Sequence, residues 1–168
     1  MKKIALAVTV CSVIALSACK KEAPAELPPA PLDTSAPTPP PRVNGPIPGS
    51  QEHFRQAMAG RDTIYFDTDM FNIDAQDQVA LREQATYLGQ FPNVRATIEG
   101  HADERGTREY NLALGERRAN AAKNYLISLG VAADRLSVVS YGKERPVALG
   151  SDEASWARNR RAVTVVLN

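Results

Sequence analysis

Val94-Arg95-Ala96-Thr97-Ile98-Glu99, then Gly100-His101-Ala102-Asp103-Glu104-Arg105-Gly106-Thr107, then Glu109 to Leu129, holds one complete change of hydrophobic period. The first six residues alternate apolar and polar, the pattern of a strand with one buried face. Gly100 to Thr107 is a loop rich in charge and glycine. Beyond it Leu112, Gly115, Ala119, Ala122, Leu126 and Leu129 recur at steps of three and four. That spacing predicts a long helix with one packed stripe. Gly115 and the alanines point to close approach to a sheet, and Gly130 is suited to the position after the helix end.

Outward from this unit the same rules place the other elements. Phe54 to Ala59 reads as a short leading helix and Thr63 to Phe66 as a short strand. Asp74 can cap a helix to about Leu88, with Asp77 adding acid to its first turn. Leu81, Ala85 and Leu88 share one face of it, and Gly89 with Pro92 ends it. Leu136 to Tyr141 and Ala162 to Leu167 read as strands, with a short helix over Asp152 to Arg158. Helical crossovers can join the first three strands, which favours parallel pairing among them. The expected architecture is a two-layer α/β sandwich with two main helices on one face.

The whole chain has 168 residues, 20 Lys+Arg, 19 Asp+Glu and two Cys. A net charge of +1 offers no global attraction to nucleic acid. Two cysteines cannot build a disulfide-rich scaffold or a four-cysteine zinc site. With 43% hydrophobic residues and a mean hydropathy of -0.30, a polytopic membrane protein is excluded. Residues 51–168 carry 15 Lys+Arg and 16 Asp+Glu, a net charge of -1, and are long enough for one real core.

The first 50 residues divide in two. Met1-Lys2-Lys3 followed by apolar Ile4 to Leu16 has the plan of a signal peptide and is too short to span a bilayer. Leu16-Ser17-Ala18-Cys19 resembles a bacterial lipobox, which implies cleavage after Ala18 and acyl chains on Cys19. Each buried CH₂ contributes about 0.8 kcal/mol, so several chains make an effectively permanent anchor. Lys20 and Lys21, with no Asp after Cys19, match an outer-membrane destination with the domain in the periplasm. Ten of the 12 prolines then lie between Lys20 and Ser50, where hydrophobic periodicity is absent. That composition predicts an extended tether with polyproline-II character. The expected boundaries are 1–18 for the signal, 19–50 for lipidated Cys19 and tether, and 51–168 for the domain.

In the domain, Asp103 follows a strand end and Asn111, Leu114 and Arg118 fall on one side of the long helix. Arg118 can therefore lie opposite Asp103 across a small cleft. On the residues alone the pair reads as readily as a structural salt bridge. His101-x-Asp103 lacks enough further imidazoles for a metal site. Asp67, Asp69 and Asp103 come with no nucleophile–base arrangement, so a hydrolase is disfavoured. Arg158, Arg160 and Arg161 read as a solvated face or a rim, and Trp156 as packing of the short helix.

The run Glu99 to Ala119 resembles the signature of OmpA-like peptidoglycan-binding domains, T/H-x-D-x-x-G followed by N-x-x-L-S/G-x-x-R-A. Tyr65-Phe66-Asp67-Thr68-Asp69, Val139-Ser140-Tyr141-Gly142-Lys143-Glu144-Arg145-Pro146 and Asn159-Arg160-Arg161-Ala162-Val163 resemble further motifs of its lipid-anchored branch. Two departures stand out: Thr68 where an apolar residue is common, and Met70-Phe71-Asn72 in place of Lys-Tyr-Asp.

This resemblance implies a mixed four-stranded sheet in the order β-α-β-α-β-β and a binding rather than a catalytic role. It implies a ligand, the zwitterionic end of diaminopimelate in an uncrosslinked stem peptide. Asp103 would take its ammonium and Arg118 its carboxylate. Backbone N–H groups around Thr68, Asp69 and the 103–107 loop, with Thr107, would complete the site. Leu114 would pack on the ligand's aliphatic stem, Asn111 would brace the loop, and Arg105 would meet the remaining peptide carboxylates. No cofactor is implied beyond lipid on Cys19. The implied partners are peptidoglycan, outer-membrane lipid, TolB and TolA, in a system that keeps the outer membrane intact and draws it inward at division. The alternative is a static anchoring or envelope-machine role with no Tol partner.

Overall fold

The computed structural model of the chain describes residues 45–167. The signal segment, Cys19 and residues 20–44 of the tether lie outside them. Ser50 accepts from the His53 amide at 3.2 Å and starts α1, Gln51–Met58, three residues before the first apolar anchor, Phe54. The strand β1, Thr63–Tyr65, follows. The side chain of Asp74 accepts from the Asp77 amide at 2.7 Å and opens α2, Ala75–Gln90. This helix continues through Gly89, which has no positive φ, and is stopped at Phe91 by the following Pro92.

β2 runs Arg95–His101, two residues past the alternating stretch, because Gly100 and His101 pair with Ser140 and Gly142 across a bulge. Thr107 caps α3, Arg108–Ser128. A 3₁₀ turn, Ala133–Arg135, leads into β3, Leu136–Gly142; α4, Glu153–Asn159, and β4, Arg161–Leu167, complete the order. At the end of α3, Gly130 takes φ +97° and the Val131 amide returns to the Leu126 carbonyl.

The sheet is mixed, with strand order β1-β4-β2-β3. β2 and β3 are parallel, as the α3 crossover requires. β1 and β2 do not pair: β4 lies between them, antiparallel to both. Seven-residue β4 can form two ladders, whereas three-residue β1 supports only the pairs Thr63–Val163, Ile64–Ala162 and Tyr65–Arg161. Period alone marks strands without saying which are neighbours.

One core lies between the sheet and the helices. Ile64, Ile98 and Val166 from the strands meet Phe54, Leu81, Leu88, Ala119, Ala122 and Leu126 from the helices. Gln84 and Thr164, buried beside this core, satisfy each other: Thr164 donates to Gln84 Oε1 at 2.7 Å and Gln84 Nε2 donates to the Arg61 carbonyl at 2.6 Å. The stripe on α3 begins one residue earlier than the leucine spacing predicts. Asn111, Leu114 and Arg118 are buried, while Leu129 is 37% exposed. The first half of α3 thus turns its inner face to a polar recess.

Candidate ligand-binding site

That recess has a volume of about 280 Å³ and sits where β2 ends and α3 begins, closed on one side by the loop between β1 and α2. Thr68 and Asp69 come from that loop, Asp103, Arg105 and Gly106 from the β2–α3 loop, and Tyr110, Asn111, Leu114 and Arg118 from α3. Seven of the eight expected ligand residues therefore line one cavity. Thr107 does not; its hydroxyl accepts from the Tyr110 amide at 3.2 Å and serves as the helix cap.

Asp103 is only 7% exposed. It is not paired with Arg118, so the structural salt-bridge reading of that couple does not hold. Instead Arg105 grips it with a planar fork: Nε donates to Oδ1 at 3.0 Å and Nη2 to Oδ2 at 2.7 Å, with the Arg105 amide also on Oδ1 at 3.1 Å. Arg160 Nη1 stands 3.6 Å from Oδ2. Burial pushes the Asp103 pKa up, but the hydrogen bonds and charge of Arg105, aided by Arg160, outweigh it and hold the carboxyl below its ordinary value.

Arg118 is fully buried. Nε donates to the Met70 carbonyl at 2.9 Å, Nη1 to His101 at 2.9 Å and Nη2 to Asp67 at 3.0 Å. It thereby joins the end of β2 to the β1–α2 loop. Burial, then the charge of Arg160, lowers its pKa to about 10, which leaves it protonated at neutral pH. A guanidinium carries five N–H groups. One on each terminal nitrogen is thus left beyond these three bonds. Because the Met70 carbonyl is what Arg118 uses, the Met70-Phe71-Asn72 departure leaves this bond untouched; Met70 and Phe71 side chains are exposed.

The remaining side chains set the loop. Asn111 Nδ2 donates to the Arg105 carbonyl at 2.7 Å. Lys143 Nζ donates to the Glu104 and Gly106 carbonyls at 3.1 and 2.7 Å. Leu114 supplies an apolar wall and is 5% exposed. Asp69 adopts φ +57°, a left-handed conformation uncommon outside glycine, and its carboxylate accepts from the Tyr110 hydroxyl at 3.1 Å.

Sequence reasoning missed Tyr110 and Arg160, and it covered Gly106 only as part of the 103–107 loop. Tyr110 is three residues past the Thr107 cap and reaches the cavity only because the β1–α2 loop folds over it. Arg160 and Arg161, read as a solvated face or rim, are buried instead. Arg160 Nε donates to the Phe66 carbonyl at 2.9 Å and Nη2 to Glu153 at 2.7 Å, and Arg161 reaches the Arg145 carbonyl at 3.2 Å. Trp156 is half-buried; its Nε1 donates to Glu104 Oε1 at 3.0 Å and the Arg105 guanidinium lies 4.2 Å from its ring centroid. His101 is buried behind the site, and burial, then the charges of Arg161 and Arg145, lowers its pKa to about 3. His53 is far from it in α1, 2.7 Å from the Tyr87 hydroxyl. No group of three or more metal-binding side chains occurs among the described residues.

The family model described as the OmpA family matches residues 65–160. The peptidoglycan-associated lipoprotein of Rhizobium meliloti is 56% identical over 119 residues, 71% of this chain and 66% of that protein. Its counterpart in Agrobacterium fabrum is 55% identical over the same shares. The matched segment thus spans just under two thirds of those relatives. The crystal structure of the peptidoglycan-associated lipoprotein from Burkholderia pseudomallei superposes with a TM-score of 0.61 at 50% identity, over 62% of this chain and 89% of that one.

Proposed function

This chain belongs to the OmpA family, and on that premise we propose that its folded domain binds peptidoglycan through the diaminopimelate of an uncrosslinked stem peptide. The observation that carries the proposal is the joint placement of Asp103 and Arg118 in one small cavity with Leu114 in its wall. A neutral zwitterion suits that charge pattern. The ligand's ammonium goes to Asp103, and its carboxylate to the two N–H groups of Arg118 that the protein leaves over and to the amides of the surrounding loops. Each charge-assisted hydrogen bond contributes ~1.5–3 kcal/mol, and association costs bring the sum near −8 kcal/mol, roughly micromolar. Many copies facing one sacculus convert that into firm attachment.

Around this activity we place the rest of the chain. Cys19 carries the lipid that holds the protein in the outer membrane, and the proline-rich segment spans toward the wall from the periplasmic face. The protein is a non-enzymatic tether. In its finer form the proposal has TolB bind an overlapping surface, with TolA supplying the energised pull, so that the protein maintains outer-membrane integrity and draws that membrane inward at division.

The test is co-sedimentation of a soluble form starting at Lys20 with isolated sacculi, beside Asp103→Asn, with free meso-diaminopimelate as competitor. Pelleting that is lost in the variant and reversed by the competitor supports the site. Wild-type protein left in the supernatant overturns it. Capture of TolB, relieved by sacculi, tests the Tol branch; a wall-binding protein that ignores TolB is a static anchor.

A further inference from the structure

We infer that Arg105 is an exchangeable internal cation: it occupies the seat on Asp103, and the ligand's ammonium must displace it. The inference rests on the zwitterion reading given above.

Asp103 faces two guanidinium groups of unequal freedom. Arg160 is 5% exposed and tied to the Phe66 carbonyl and Glu153, so it stays. The Arg105 side chain is 39% exposed. It covers both oxygens of Asp103 and, among the described residues, otherwise reaches only Thr68 Oγ1, at 3.4 Å, and the face of Trp156. The backbone beneath it is held separately, by Asn111 on the Arg105 carbonyl and Lys143 on the carbonyls to either side. Exchange therefore needs a side-chain rotation and no loop movement, a change that partly exposed residues make in nanoseconds.

The arrangement also acts as a filter. If Arg105 left with nothing in its place, a carboxylate 7% exposed would lose both of its strong side-chain donors, which is costly at low solvent access. Among the described residues Arg160 Nη1 has no hydrogen-bond partner, and at 3.6 Å from Oδ2 it is a charge neighbour rather than a replacement. Only a ligand that brings its own cation removes Arg105 without that loss. A dicarboxylate of the same length has nothing to offer Asp103. The released guanidinium is then free to meet the peptide's carboxylates.

Trp156 is the chain's one tryptophan and reports the exchange, since Arg105 lies over its ring. The experiment uses the soluble form from Lys20, titrated with meso-diaminopimelate and with pimelate. Binding is measured by calorimetry, Trp156 by its emission, and Arg105 by its Nε–H resonance, assigned with Arg105→Gln. The expected result is a saturable change in both signals that follows the heat for diaminopimelate and is absent for pimelate. Heat of binding with both signals unmoved overturns the exchange and leaves the wall-binding reading standing. Absence of binding to diaminopimelate and to sacculi overturns that reading, and the exchange with it.

Discussion

Gly100 of β2 and Gly115 of α3 touch main chain to main chain: a Cβ on Gly100 would overlap the Gly115 carbonyl, and one on Gly115 would overlap Ser140 Oγ and crowd the Gly100 carbonyl. This contact seats the first half of α3 on the sheet and brings Asn111, Leu114 and Arg118 over the end of β2. Neither glycine has a positive φ, so the requirement is space rather than backbone conformation.

Gly100→Ala is expected to lower stability by about 1–3 kcal/mol or more, since rigid backbone must yield. Gly89→Ala serves as the control. Nothing lies within 4 Å of its Cβ position and it sits in α2, so it should be neutral or gain up to about 1 kcal/mol. Urea midpoints of the two variants check the contrast. Equal midpoints would contradict the close approach.

Arg118→Ala removes the donor to three carbonyls, Met70, His101 and Asp67, at a fully buried position. A loss of about 3 kcal/mol or more is expected. Asp103→Asn keeps an acceptor for the Arg105 amide and should cost far less, because the lost partner Arg105 can turn to solvent. Thermal unfolding of the two variants tests the ordering. It also explains why Asp103→Asn is the cleaner probe of wall binding.

His101 and Asp77 impose opposite pH dependences. The folded His101 pKa is lowered to about 3 from 6.5, by burial and then by Arg161 and Arg145. Between those values the unfolded chain binds more protons, so this contribution to stability is complete above about pH 6.5 and lost as pH falls toward 3. The Asp77 pKa is raised to about 6 from 3.8 by burial, against the opposing hydrogen bond from the Tyr65 amide. Here the folded state binds more protons between those values, so stability falls as pH rises from about 4 to 6 and the loss persists above. Asp77→Asn should therefore gain on wild type as pH rises from 4 to 7. His101→Gln should instead lose less stability than wild type on acidification over the same range. Denaturant midpoints measured against pH check both, and pH-independent differences would contradict them.

Arg135 ties the α2–β2 connection, with Nη2 donating to the Leu88 and Phe91 carbonyls at 2.9 and 2.8 Å and Nε to Val94 at 2.9 Å. Arg135→Ala should cost about 2 kcal/mol and speed amide exchange across residues 88–94. Protection confined to its wild-type level there would show that the connection holds itself.

The elements were legible because their signals are local. Asp74 stands three residues from the amide it caps, and the alternation from Val94 to Glu99 needs only a strand's own period. The lining of the site was legible to the same degree: Asp103, Arg105, Asn111, Leu114 and Arg118 fall within sixteen consecutive residues, on a loop and the helix that follows it.

Partnership was not. Arg118 meets Asp67 51 residues away, and Arg160 meets Phe66 94 residues away. The place of β4 between β1 and β2 likewise joins Ile64 to Ala162 and Ile98 to Thr164. By itself, then, the sequence determined which residues form helices and strands and which short run holds the charged pair. Only the tertiary structure decided that Asp103 is held by Arg105 instead of Arg118, and that Arg118 is spent mostly on carbonyls. The physical reason is that capping and amphipathic period act over one or two turns, whereas a buried guanidinium takes whatever oxygen the packed chain brings within hydrogen-bond reach.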